Sequence, residues 1–160
     1  MLAVADVRRS ALESLLCRYE LQLVLEDEHA EITASFWGNS EAGIVGQTIY
    51  ARIDTPIHSL LHEACHLICM TAKRRDDVER NAGGDDLEES AVCYLQIVLA
   101  DHIDTVGRSR LMQDMDTWGY SFRLGNTRAW FEQDADDAIE FLINQGLLTE
   151  SGEATFKLRA

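Results

Sequence analysis

The sequence predicts an α+β fold on three observations. Apolar residues at helical spacing open the chain, short runs rich in β-branched and aromatic residues occupy the stretch from 21 to 53, and the apolar runs beyond 55 are long and helical in spacing. With 160 residues, nearly half of them hydrophobic, one domain spanning 1–160 has enough length to bury a core.

The elements follow in order. Val4, Val7, Ala11, Leu15 and Leu16 recur at helical spacing with charges between them, so residues 3–19 are expected to form an amphipathic helix backing a sheet. Leu21–Leu25 reads as a first strand. Ile32–Trp37 reads as a second, with Ile32, Ala34 and Phe36 alternating against Glu31, Thr33 and Ser35. Gly38-Asn39-Ser40 and Ala42-Gly43 mark a turn, and Ile44–Ile53 is expected as a third strand broken at Gly46. Short connections favour hairpins, giving a small sheet of antiparallel or mixed character.

Thr55 can cap and Pro56 suits the first position of a helix running to about Met70. Residues 73–81 are highly charged and lead to Gly83-Gly84, which reads as a loop. Asp85 or Asp86 can cap the next helix, with Glu88 or Glu89 at its third position in the manner of a capping box. That helix runs from Leu87 to about Asp101 and is apolar nearly all round, so it is expected at the centre of the domain. Ser109–Trp118 and Thr127–Asn144 read as two further helices, the second stopped at Gly146. The tail from Ser151 reads as loosely held, and Trp118, Trp130, Phe131 and Phe141 as core.

Composition narrows the partners. A net charge of -14 argues against a nucleic-acid groove, which needs a basic patch, and against an anionic membrane surface. Asp6, Arg8 and Arg9 fall where a secretory signal would be apolar, and the most apolar run, Ala91–Ala100, is about half the length of a bilayer span. Cys65, Cys69 and Cys93 lie inside apolar runs as reduced, buried hydrophobes. A cytoplasmic location is the expectation.

One stretch carries chemistry. Ser59 to Met70 is an apolar helical run interrupted by His62, Glu63 and His66 in the pattern HExxH. Residues four apart share a helix face, so the two imidazoles can reach one metal ion, while Glu63 lies one step round, where its carboxylate can take a proton from water activated by that metal. Charged groups in so apolar a helix need partners, and a metal supplies them.

A catalytic zinc takes three protein ligands, so a third is needed. A histidine six residues beyond His66, with glycine at three, is missing, since Cys69 and Ala72 stand there. The segment Asp85–Tyr94 offers carboxylates. Here the sequence resembles the glutamate-zincin (gluzincin) metallopeptidases and, within them, small ImmA/IrrE-like domains. The resemblance rests on His62, Glu63, His66 and one of Glu88 or Glu89 before Ala91, Val92 and Tyr94, with Gly46–Arg52 leading into Thr55–Leu61. It implies a zincin-like minimal metallopeptidase domain, with a metal-site core at 44–101, a helical C-terminal part at 102–150, and zinc held by His62, His66 and a helical glutamate. Relatives often carry an asparagine where Val92 stands, so their regulatory role is not implied. Glu89 is favoured as the ligand because its stripe holds the small or polar Cys93, Gln96 and Ala100. Glu88 is the alternative.

Two functions are compatible with these residues. The first is a zinc peptidase acting on a peptide or protein substrate, with Glu63 as general base and the peptide adding along the edge at 44–53. The alternative is a non-catalytic zincin-like module that binds zinc for stability or for a regulatory or protein-interaction role. The presence of Glu63 favours the first, since a structural site needs no base. His58, one turn before His62, could support the metal site or lie at the surface near the helix start, the latter favoured, and Asp85 or Asp86 could orient a ligand histidine. His102, Tyr94, Tyr120 and Arg123 are unranked candidates for stabilising a developing oxyanion.

Overall fold

A computed structural model describes residues 1–35, 38–78 and 83–160. Among them the chain forms a 3-10 turn Val4–Asp6, then α1 (Arg9–Cys17), β1 (Gln22–Leu25), β2 (Gly43–Val45), β3 (Thr48–Ala51), α2 (Ile57–Cys69), α3 (Ala72–Asp77), α4 (Asp86–Ala100), α5 (Gly107–Trp118), α6 (Thr127–Gln133) and α7 (Asp136–Asn144). The fold is α+β.

The sheet is mixed, in the order β1-β3-β2, with β1 parallel and β2 antiparallel to β3. Two strand expectations are corrected. Residues 44–53 make a hairpin, not one broken strand: Val45 pairs with Thr48, and Gly46, at φ 57, turns the chain. Positive φ at the first of two loop residues is what a tight hairpin asks of glycine. In the expected strand at 32–37, Thr33 and Ala34 form a turn instead, with Ala34 at φ 59 and Thr33 hydrogen-bonded to Glu26, and only Ser35 bridges to Gly43. Phe36 and Trp37 lie outside the described residues. The expected substrate edge changes too. β3 is interior, and of the hairpin's two strands only β2 is an edge, already met at Gly43 by Ser35.

α2 is the axis of the molecule. All its residues are buried except His62 and Glu63, which keep partial access to solvent. Leu60, Leu61, Leu67 and Ile68 are fully buried, each worth about 1.5–3 kcal/mol. The helix begins one residue later than expected. Pro56 is its N-cap, accepting from Ser59 N–H, and the Thr55 hydroxyl accepts from Arg52 N–H in the preceding turn. α4 packs along α2 and is flanked by α5 and α7, which accounts for its lack of a polar side.

Three further expectations change. Residues 72–77, within the expected loop, form α3, because the Thr71 side chain caps it by accepting from Arg74 N–H; residues 79–82 lie outside the described set. The expected helix 127–144 divides into α6 and α7 at Asp134 and Ala135, leaving Ala135 and Ala138 buried. The tail is tied down. Leu148 bridges to Ala154, the Phe156 ring packs against Tyr19, and Arg159 N–H donates to Ile68 O at 3.0 Å. Arg75, buried, returns a bond to Arg159 O at 2.8 Å. Among the described residues no helix is long and apolar enough to cross a membrane.

Candidate metal centre

Helix geometry alone sets His62 and His66 on one face of α2, and the packing of α4 supplies the third group. Glu89 Oε1 lies 3.0 Å from His62 Nε2, and Glu89 Oε2 lies 3.1 Å from His66 Nε2. The two Nε2 atoms are 3.1 Å apart. Among the described residues these three form a group whose ligand atoms all fall within 4.8 Å of one another. Two imidazole nitrogens and a carboxylate are a donor set suited to zinc.

The near neighbour, Glu88, is turned away. Buried, it accepts from Arg74 at 2.8 and 2.9 Å and faces Arg159 at 3.5 Å, so its charge is already answered. Asp85 caps α4 by accepting from Glu88 N–H at 2.8 Å, but the Glu88 side chain, committed to arginine, does not complete a capping box. Neither Asp85 nor Asp86 orients a ligand. That role falls to Gln96, fully buried, whose Oε1 accepts from His62 Nδ1–H at 2.6 Å while its amide donates to His58 O at 3.3 Å. With Nδ1–H held by Gln96, Nε2 is the nitrogen turned to Glu89, to which it donates here, and the one that would give up its proton to a metal ion. His66 Nδ1 is buried with no hydrogen-bond partner among the described residues.

The electrostatics are those of a tightly coupled site. Burial would raise the Glu89 carboxyl, but its bonds to His62 and His66 outweigh this and hold it well below the usual carboxylate range. Burial works against charge on His62, and Tyr120, Cys93 and Glu89 carry it well above its ordinary value. Glu63 is raised by burial, with His66 and His62 opposing. Cys65 and Cys69 are pushed up by burial as thiols of the core.

A cavity of about 410 Å³ opens over His62, Glu63 and Glu89. Its far wall was not foreseen. His58, expected at the surface, is buried because α5 and the turn after it cover it: its Nδ1 shares a 3.0 Å hydrogen bond with the Tyr120 hydroxyl, and its ring lies 5.0 Å from that of Trp118. Trp118, expected in the core, is 46% exposed at the mouth of the cavity. Of the four oxyanion candidates only Tyr120 lines it. Tyr94 stacks on Phe131, His102 lies against Phe156, and Arg123 pairs with Asp134. Glu41 completes the wall from the segment before β2.

No family model, curated protein or solved structure matches this chain. Its chemistry follows from the side chains themselves. Two histidines and a carboxylate facing both could hold a metal ion, and a second carboxylate, Glu63, lies beside the same open cavity.

Proposed function

We propose that this chain is a zinc-dependent metallopeptidase of zincin-like fold, with His62, His66 and Glu89 as metal ligands and Glu63 as general base. The observation that carries the reading is the convergence of Glu89 on both imidazoles while Glu63 faces the same cavity. A zinc ion held there would supply a Lewis acid for the scissile carbonyl and lower the pKa of water toward neutrality. Glu63 accepts the proton of the attacking water and passes it to the departing nitrogen, so that one amide bond and one water become a carboxylate and an amine. Gln96 keeps the proton of His62 on Nδ1. Tyr120, its hydroxyl pushed up to about 12 chiefly by burial, stays protonated and able to donate. The opening of the cavity favours catalysis over a closed structural site.

The test pairs metal analysis with hydrolysis. Protein purified without added metal should carry zinc, and a broad N-acetylated peptide library should contain cleaved members. Glu63→Gln should retain the zinc and lose cleavage by about two orders of magnitude or more. Zinc without cleavage across the library would instead support the non-catalytic module, and absence of zinc would remove both readings.

A further inference from the structure

One wall of the cavity is left unused by the hydrolytic reading. Glu41 Oε2 is buried there and has no hydrogen-bond partner among the described residues. His58, 1% exposed and lining the same cavity, likewise has its Nε2 buried with no hydrogen-bond partner among the described residues. Burial and the negative charge of Glu63 raise Glu41, with His62 opposing. A carboxylate oxygen withdrawn from water without a donor is costly, and among the described residues no Lys or Arg lines the cavity to answer it. Two positive charges from a metal would match Glu63 and Glu89 and leave Glu41 in excess. Across the mouth stands the half-exposed ring of Trp118, an apolar face that also attracts cations.

We propose that this wall is a subsite for a basic side chain, the lysine or arginine of a bound peptide beside the bond to be cleaved. Glu41 receives the ammonium or guanidinium, and Trp118 covers the aliphatic stem. This deepens the peptidase reading, on which it rests for the peptide nature of the ligand. A neutral side chain of the same length would leave Glu41 Oε2 both dry and unpartnered. The α-amine at a peptide's N-terminus could meet Glu41 but would leave the Trp118 face bare. The net charge of -14 would draw cationic segments toward the opening.

Binding of small probes tests the subsite apart from cleavage. The indole N–H resonance of Trp118, assigned with Trp118→Phe, is followed in the protein as purified while Nα-acetyl-lysine amide, Nα-acetyl-arginine amide, Nα-acetyl-norleucine amide or alaninamide is added. The two basic probes should shift it saturably, with the norleucine probe weaker by about tenfold or more, and Glu41→Gln should weaken lysine binding by a similar factor. Glu41→Asp, which keeps the charge, should restore part of it. In the library, a basic residue should adjoin the cleaved bond, and Glu41→Gln should lose that preference. Equal response to norleucine, or unchanged lysine binding in folded Glu41→Gln, would overturn the subsite. A stronger response to alaninamide would also overturn it, in favour of an N-terminal amine. Glu41-dependent lysine binding with no cleavage anywhere would remove the peptidase and leave the subsite, whereas cleavage without basic preference would do the reverse.

Discussion

Gln96 Oε1 lies 2.6 Å from His62 Nδ1, in a run from Ala91 to Ala100 that has no charged residue and no other amide. The bond decides which nitrogen of His62 would be offered to a metal ion. Gln96→Leu removes the acceptor with little change in volume, and zinc affinity, measured by competition with a chromophoric chelator, should fall about 10–100-fold. Gln96→Glu keeps an acceptor and should lose less. Wild-type affinity in Gln96→Leu would take Gln96 out of the site.

Glu88 and Glu89 are adjacent in sequence but face different partners, Glu89 the two histidines and Glu88 two arginines. Glu89→Gln should lose zinc on dialysis while the metal-free protein unfolds near the wild-type urea midpoint. Glu88→Gln should keep zinc but weaken the pairs with Arg74 and Arg159, lowering stability by about 2 kcal/mol. The reverse pattern would transfer the ligand role to Glu88.

His58 gives the fold a dependence on acid. Its burial first, and then positive charge on His62, lower its pKa from 6.5 to about 4, against the pull of Asp114. Between those values the unfolded chain binds the extra proton, so this group's penalty is absent above about 6.5 and grows as pH falls toward 4. From about pH 7 to about pH 5 it should remove about 2 kcal/mol. Urea unfolding of chelator-treated protein at the two pH values measures this, and His58→Asn should lose less across the interval than wild type. Equal losses would mean that His58 does not titrate as its burial requires.

Gly43 sits where β2 meets the turn at 33–35, and a Cβ there would overlap Thr33 O, the Ala34 carbonyl carbon and Ser35 N. Gly43→Ala should therefore cost about 1–3 kcal/mol in thermal or urea unfolding, the scale of overpacking against atoms that cannot give way. An unchanged midpoint would show that the Ser35 bridge is dispensable.

What could be read from the sequence was local. α2 and α4 are legible because almost every side of each is apolar, and His62, Glu63 and His66 stand out against that background. Glu89 was legible only as one of two, since its separation from Glu88 depends on where Arg74 and Arg159 fall in space. Gln96 did leave a signal, as the one amide in an apolar run. The alternation from Ile32 to Ser35 misled because a turn with Ala34 at positive φ can carry the same pattern as a strand. His58, Trp118 and Tyr120 come together because α5 ends beside α2, and Glu41 joins their cavity because Ala42 N–H donates to Ser59 of α2, which no spacing along the chain encodes.

The tail at Arg159 reaches several parts of the molecule at once. Its guanidinium donates to Cys69 O at 3.0 Å and to Gln145 Oε1 at 3.1 Å, faces Glu88, and its backbone joins Ile68 and Arg75. The last turn of α2, the first turn of α4 and the tail thus share one set of bonds and belong to one cooperative unit of opening. Removing the last residues of the chain should therefore speed hydrogen exchange in the last turn of α2 and the first turn of α4, far from the cut in sequence.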